Sequence, residues 1–149
     1  MTRKTADEWA SFLLLLDGGA SSFLFGDVFS PSPRGNVIGS PYVDGANQTG
    51  KILNVAGLQP NTQNAFRKND KIQVGLNLHA VLKDADTNGD GKASLELFPR
   101  LRVIHDNQTP IITENARGLF HLSAGGGGLY SSSLSSARNV TSLNVLEVF

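Results

Sequence analysis

The stretch Lys71-Ile72-Gln73-Val74-Gly75-Leu76-Asn77-Leu78-His79-Ala80-Val81-Leu82-Lys83, followed by Asp84-Ala85-Asp86-Thr87-Asn88-Gly89-Asp90-Gly91-Lys92 and Ala93-Ser94-Leu95-Glu96-Leu97-Phe98-Pro99-Arg100-Leu101-Arg102-Val103, decides the fold. In the first arm Ile72, Val74, Leu76, Leu78, Ala80 and Leu82 share one parity, the period of a half-buried strand. In the second arm Ala93, Leu95, Leu97, Pro99, Leu101 and Val103 alternate with polar or charged residues, and Phe98 breaks the alternation. Asn-Gly and Asp-Gly steps supply the positive φ angles that tight turns need, so the whole reads as a β-hairpin. That register places Leu78, Ala80 and Leu82 on one inward face opposite Ala93, Leu95 and Leu97.

The centre has a second reading as a calcium loop with Asp84, Asp86, Asn88 and Asp90 as ligands. An EF-hand loop needs side-chain oxygens at positions 1, 3 and 5, glycine at 6 and a bidentate Glu at 12. Counting from Asp84 puts Leu95 at position 12, and counting from Asp86 puts Leu97 there, so Glu96 is missed in both frames. The missing carboxylate favours the plain turn, and no cofactor is expected.

Composition sets the remaining limits. The 149 residues are enough for one domain with its own core, here about 5–17 for a short helix and about 22–149 for a β body. Lys plus Arg equals Asp plus Glu at 13 each, giving no field that would attract nucleic acid or an anionic membrane. Cysteine is absent, which removes disulfides, thiolate metal sites and a cysteine nucleophile. The longest apolar run, Phe12 to Leu16, is too short to span a bilayer or to form the core of a signal peptide. Sixteen glycines among many Ser, Asn and Thr indicate a turn-rich β architecture.

Thr5-Ala6-Asp7-Glu8 reads as a capping box, with Trp9, Phe12, Leu13 and Leu16 on one helical face and Gly18-Gly19 ending the helix. Ser30-Pro31-Ser32-Pro33 is a loop, since each proline removes a ladder donor. Strands are expected at Phe23 to Phe25, Val37-Ile38, Tyr42-Val43, Lys51 to Val55, the two hairpin arms, Ile111 to Thr113, Leu119 to Leu122 and Leu143 to Phe149. That spacing suits a β-sandwich or barrel-like fold. Gly125 to Ser136, including Tyr130, lacks a phosphate-loop lysine and reads as a flexible loop that could order against a partner. His79, His105 and His121 have no metal-ligand spacing and no adjoining nucleophile motif, so catalysis is not expected. Arg100 and Arg102 fall on the polar face of their strand, as solvated charges or as interface residues.

The ordered segments Trp9-Ala10-Ser11-Phe12-Leu13, Phe23-Leu24-Phe25-Gly26-Asp27, Pro33-Arg34-Gly35, Val43-Asp44-Gly45-Ala46-Asn47-Gln48-Thr49-Gly50, Asn69-Asp70-Lys71-Ile72-Gln73-Val74 and Leu97-Phe98-Pro99-Arg100-Leu101-Arg102 resemble a family of small tail proteins of double-stranded DNA bacteriophages. The resemblance covers most of the chain and ends on a final strand carrying Glu147. It implies a β-rich, non-enzymatic virion subunit of the distal tail or tail tip, assembled in the host cytoplasm. Its implied partners are copies of itself in a hexamer or trimer ring and other tail proteins. The family position of Asp84 to Lys92 looks like a variable hairpin tip, and Gly125 to Ser136 departs from the family pattern. The same β pattern would serve a head-to-tail adaptor or capsid decoration protein. A calcium-dependent surface-binding module is the reading from another class.

Overall fold

A computed structural model describes residues 3–17, 20–123 and 144–148. In chain order the elements are α1 (Arg3–Leu15), β1 (Ser22–Gly26), β2 (Gly39–Val43), β3 (Gly50–Leu58), β4 (Lys71–Val74), β5 (Asn77–Val81), β6 (Ala93–Leu101), β7 (Ile111–Ile112), β8 (Arg117–Leu122) and β9 (Val145–Glu147). The protein is mainly β, with one short N-terminal helix and a barrel-like body. Its contacts group into two compact units, 25–118 and the segments 1–24 with 119–148.

The larger unit is built on a six-stranded sheet in the order β2-β3-β6-β5-β4-β7. Its two outer strands meet, since Tyr42 bridges Pro110, the Val43 amide donates to the Thr109 carbonyl at 2.9 Å, and the Gln108 amide donates to the Val43 carbonyl at 2.9 Å. Near-closure removes most of the exposed strand edge. Inside lie Val43, Leu53, Val55, Phe66, Ile72, Val74, Val81, Leu95, Leu97 and Leu101, all buried. The β6 arm therefore faces as its alternation predicts.

The first arm does not. Val74 pairs with Asn77, so the run Lys71 to Lys83 is not one strand but two, folded over Gly75-Leu76, with Gly75 at φ +61°. Residues paired across a two-residue turn share a face, and the inward parity therefore switches from even to odd numbers. Ile72 and Val74 point in, and the next inward residues are Asn77, His79 and Val81. Leu76 is 53% exposed, and Leu78, Ala80 and Leu82 lie on the outer side of the wall, half-buried. The expected inward register of these last three is thus overturned. Ala80 opposes Phe98 and Val81 opposes Leu97.

The long connection 82–92 is not a free hairpin tip, because it zips against the loop 59–70. The Phe66 and Ala85 backbones exchange hydrogen bonds at 3.1 and 2.9 Å, and the Thr87 amide donates to the Thr62 carbonyl at 3.0 Å. Buried Thr87 accepts the Thr62 amide on Oγ1 at 2.8 Å and donates from it to the Gln59 carbonyl at 2.7 Å. Asp70, only 2% exposed, ties the far end of this loop: its carboxylate accepts the amides of Arg34 (2.8 Å), Gly35 (3.0 Å) and Arg67 (2.7 Å). The Arg34 guanidinium adds a bond to the Lys68 carbonyl. A Cβ on Gly35 would stand 2.4 Å from the Ala65 carbonyl oxygen, so the close approach of these loops needs glycine there.

In the smaller unit α1 begins at Arg3, which leaves Thr5 inside the helix rather than at its N-cap. Leu16 is buried and Phe12 and Leu13 are half-buried, as the periodicity predicts, while Trp9, expected on the same face, is 38% exposed. Phe12 packs edge-on to Trp9 and to Phe23, with ring centroids 5.7 and 5.5 Å apart. Gly18-Gly19 lies outside the described residues. β9 pairs antiparallel with β8, with Phe120 opposite Glu147 and Leu122 opposite Val145. Val37-Ile38 is not a strand; β2 starts one residue later, at Gly39.

Candidate interaction surface

Two carboxylates of the 84–92 segment, Asp84 and Asp86, accept backbone amides of the facing 59–70 loop, and the Asn88 amide oxygen serves the segment's own backbone. Asp84 Oδ1 accepts the Lys68 amide at 2.7 Å, Asp86 Oδ1 accepts the Asn64 amide at 2.7 Å, and Asn88 Oδ1 accepts the amides of Asp90 and Lys92 at 3.0 and 2.9 Å. Each short side chain caps a different part of the paired loops, an ordinary use of Asx residues in turns. Among the described residues no three His, Asp or Glu side chains converge on a point that could hold a metal ion.

The histidines are also placed by the fold. His79, 2% exposed in β5, donates from Nδ1 to the Pro99 carbonyl at 2.8 Å, and since a carbonyl only accepts, the proton must sit on Nδ1. His121 lies in β8 opposite Leu146. The His105 ring covers the β4–β5 turn, with Cε1 3.2 Å from where a Gly75 Cβ would stand. Burial, and next the nearby His79, hold the His105 pKa below its ordinary value of 6.5, while Asp106 pulls the other way. The folded chain thus binds this proton less readily than the unfolded chain. Its contribution to stability is intact above the ordinary imidazole value and is lost as pH falls through that value toward the native one. Urea midpoints taken between about pH 7.5 and pH 5.5 should fall on acidification, and His105→Gln should flatten that fall. An unaltered slope in the variant would refute the assignment.

Arg100 and Arg102 are exposed at the end of β6, and the sheet brings Lys51 to them. Ile52 opposes Glu96 and Gly50 opposes Leu101, so a step of two residues along β3 is matched by a step of five along β6. β6 bulges there through Phe98-Pro99-Arg100, and a bulge re-aims the side chains it carries. The Phe98–Pro99 peptide is cis. Phe98 is 65% exposed, and on the same outer wall Ile52, Leu78, Ala80 and Leu82 extend an apolar surface around it. Lys83 closes one side through a 2.7 Å ion pair with Glu96. The sequence signal for this surface is present: Phe98 breaks the alternation, and Leu78, Ala80 and Leu82 are apolar on what proves to be the outside.

A second apolar feature sits on the turn after β1. The Ser30 amide donates to the Asp27 carbonyl, and Asp27 Oδ1 accepts the Phe29 amide at 3.0 Å, so Val28 and Phe29 occupy the turn's centre. Phe29 is 96% exposed, and Lys71 Nζ steadies the turn from 3.7 Å at Asp27. Gly125 and Tyr130, the other interface candidates, lie outside the described residues. None of the described helices is long and apolar enough to cross a membrane.

No protein-family model matches the chain, and no curated protein matches it. The segments Pro33 to Gly35, Val43 to Gly50 and Asn69 to Val74 can be followed into the structure. Pro33-Arg34-Gly35 and Asn69-Asp70-Lys71 meet at the Asp70 carboxylate. Within Val43 to Gly50, the Gln48 side chain bridges the Asp44 carbonyl (3.0 Å) and the Asn54 amide (2.7 Å), and Asp44 pairs with Lys92 at 2.8 Å. These motifs hold loops together. Exposed Phe98 lies in the segment Leu97 to Arg102, and the rest of its apolar surface lies on β3, on β5 and at Leu82.

Proposed function

We propose that this chain is a non-enzymatic structural subunit of a bacteriophage tail, a distal-tail or tail-tip protein that forms a ring joining the tail tube to the baseplate or fibres. The observation that supports this reading best is the inverted wall of the barrel: β5 turns Asn77 and His79 inward and Leu78 and Ala80 outward, beside exposed Phe98. A contiguous apolar surface is costly in water and is retained where a neighbour covers it. Together with the ordered tail-protein motifs, it suits a subunit whose work is contact with other subunits. A role as head-to-tail adaptor or capsid decoration would use such a wall equally, and position in the particle separates them. Mass spectrometry of purified virions should detect the chain, and immunogold labelling should mark the tail end distal to the head. Absence from virions, or label confined to the head, would defeat the tail reading.

A further inference from the structure

We propose that Asn88 is a self-modification site, at which the Gly89 backbone nitrogen attacks the Asn88 side-chain amide and converts it, through a succinimide, to aspartate or isoaspartate. Of the chain's asparagines only Asn88 is followed by glycine, whose missing Cβ leaves the attacking nitrogen unscreened. The fold then holds the reacting atoms. Asn88 opens a β-turn that the Gly91 amide closes on the Asn88 carbonyl at 3.1 Å. The amides of Asp90 and Lys92 point at the end of its side chain at 3.0 and 2.9 Å, and two donors there fix that atom as Oδ1. Among the described residues the Gly89 amide donates no hydrogen bond. Both residues are exposed, and a Cβ built on Gly89 would have only Asn61 Oδ1 near it, at 3.9 Å.

Each feature serves one step. Water or hydroxide acting as base takes the Gly89 amide proton, and an amide outside any hydrogen bond gives it up without breaking one. The nitrogen's electron pair forms the N–Cγ bond while the Cγ–Oδ1 π pair moves onto Oδ1. That oxygen then carries negative charge between two N–H groups already aimed at it, the arrangement that stabilises an oxyanion. When the carbonyl re-forms, the Cγ–Nδ2 bond breaks and the nitrogen leaves as ammonia with a proton from water. A second water opens the ring. Breaking its bond to Cγ gives aspartate, and breaking its bond to the Asn88 main-chain carbon gives isoaspartate. In sum one water enters and one ammonia leaves. With one carboxylate added, the 13 basic and 13 acidic residues become 13 and 14, and carboxylates stand at 84, 86, 88 and 90. Aspartate keeps an oxygen for the Asp90 and Lys92 amides, whereas isoaspartate inserts a methylene into the backbone of the turn that seats Gly91 on β3.

Incubation of the full folded chain in neutral buffer, followed by peptide mapping with mass spectrometry, tests the site. Product should collect at Asn88 ahead of every other asparagine, with ammonia released in step and a faster rate at higher pH. The folded chain should react faster than the same chain unfolded in guanidinium chloride, since only the folded turn aims two amides at Oδ1. Gly89→Ala, whose Cβ meets open space, should melt near the parent and slow the reaction at least about tenfold. Asn88→Asp should also melt near the parent, co-migrate on isoelectric focusing with the acidic form that the parent accumulates, and gain no further acidic form at that rate. A folded rate no greater than the unfolded one would show that the turn does not assist the attack, and the inference falls. It falls equally if product is spread evenly among the asparagines, if Gly89→Ala reacts at the parent's rate, or if Asn88→Asp goes on acidifying as the parent does. None of these outcomes depends on the tail reading.

Discussion

Asp70→Ala should lower the unfolding free energy by about 3–5 kcal/mol, a large fraction of the roughly 5–15 kcal/mol by which folded proteins are commonly stable. The carboxylate is buried and accepts three backbone amides, with Oδ1 taking Arg34 and Oδ2 taking both Gly35 and Arg67. Alanine leaves those donors facing a void. Charge-assisted bonds to a carboxylate are among the stronger ones in a protein, and an orphaned buried donor costs about 1–3 kcal/mol. Asparagine tests the same point more finely. It keeps one acceptor oxygen but turns an NH2 group toward at least one amide, so Asp70→Asn should lose less than alanine and still fall well below the parent. Urea unfolding followed by tryptophan fluorescence and circular dichroism would give both values. A loss under about 1 kcal/mol for alanine would mean that the loops hold without this tie.

The prominence of Asp70 could not be read from the sequence, because nothing in a lone Asp beside a Lys marks it as a three-amide acceptor; its partners are 36, 35 and 3 residues away. The helix and β6 were legible, since their apolar residues follow one period against one buried side. β5 was misleading for a physical reason. Its first two inward positions are Asn77 and His79, and its outward ones are Leu78 and Ala80, so hydrophobicity carries the sign opposite to burial until the strand reaches Val81. The turn at Gly75-Leu76 is short and carries a leucine, and a run of even-numbered apolar residues passes through it unbroken. A pattern reader sees one strand; the chain forms two. Of the candidate surface, Arg100 and Arg102 were visible as strand-face charges, while Lys51 joins them only through the shifted pairing of β3 with β6.

The 84–92 segment yields the second large effect, and it separates packing from metal binding within one loop. Gly91→Ala should cost about 2–4 kcal/mol, whereas Gly89→Ala should be close to neutral. Gly91 holds φ +70°, a conformation that a Cβ disfavours, and the added carbon would stand 2.1 Å from the Leu58 carbonyl oxygen. That oxygen belongs to β3, and the Gly91 carbonyl accepts the Leu58 amide at 3.2 Å, so the loop cannot retreat without losing its seat on the sheet. Gly89 has open surroundings, with Asn61 Oδ1 at 3.9 Å the sole near atom, and does not occupy the left-handed region. The two calcium-loop frames place the obligatory turn glycine at Gly89 when counted from Asp84 and at Gly91 when counted from Asp86. A loop shaped for a cation from Asp84 would therefore suffer at Gly89. A loop shaped by contact with β3 suffers at Gly91, in calcium-free buffer and in millimolar calcium alike. Melting temperatures of both variants under both conditions would distinguish these cases, and a calcium-dependent loss at Gly89 would overturn the packing account.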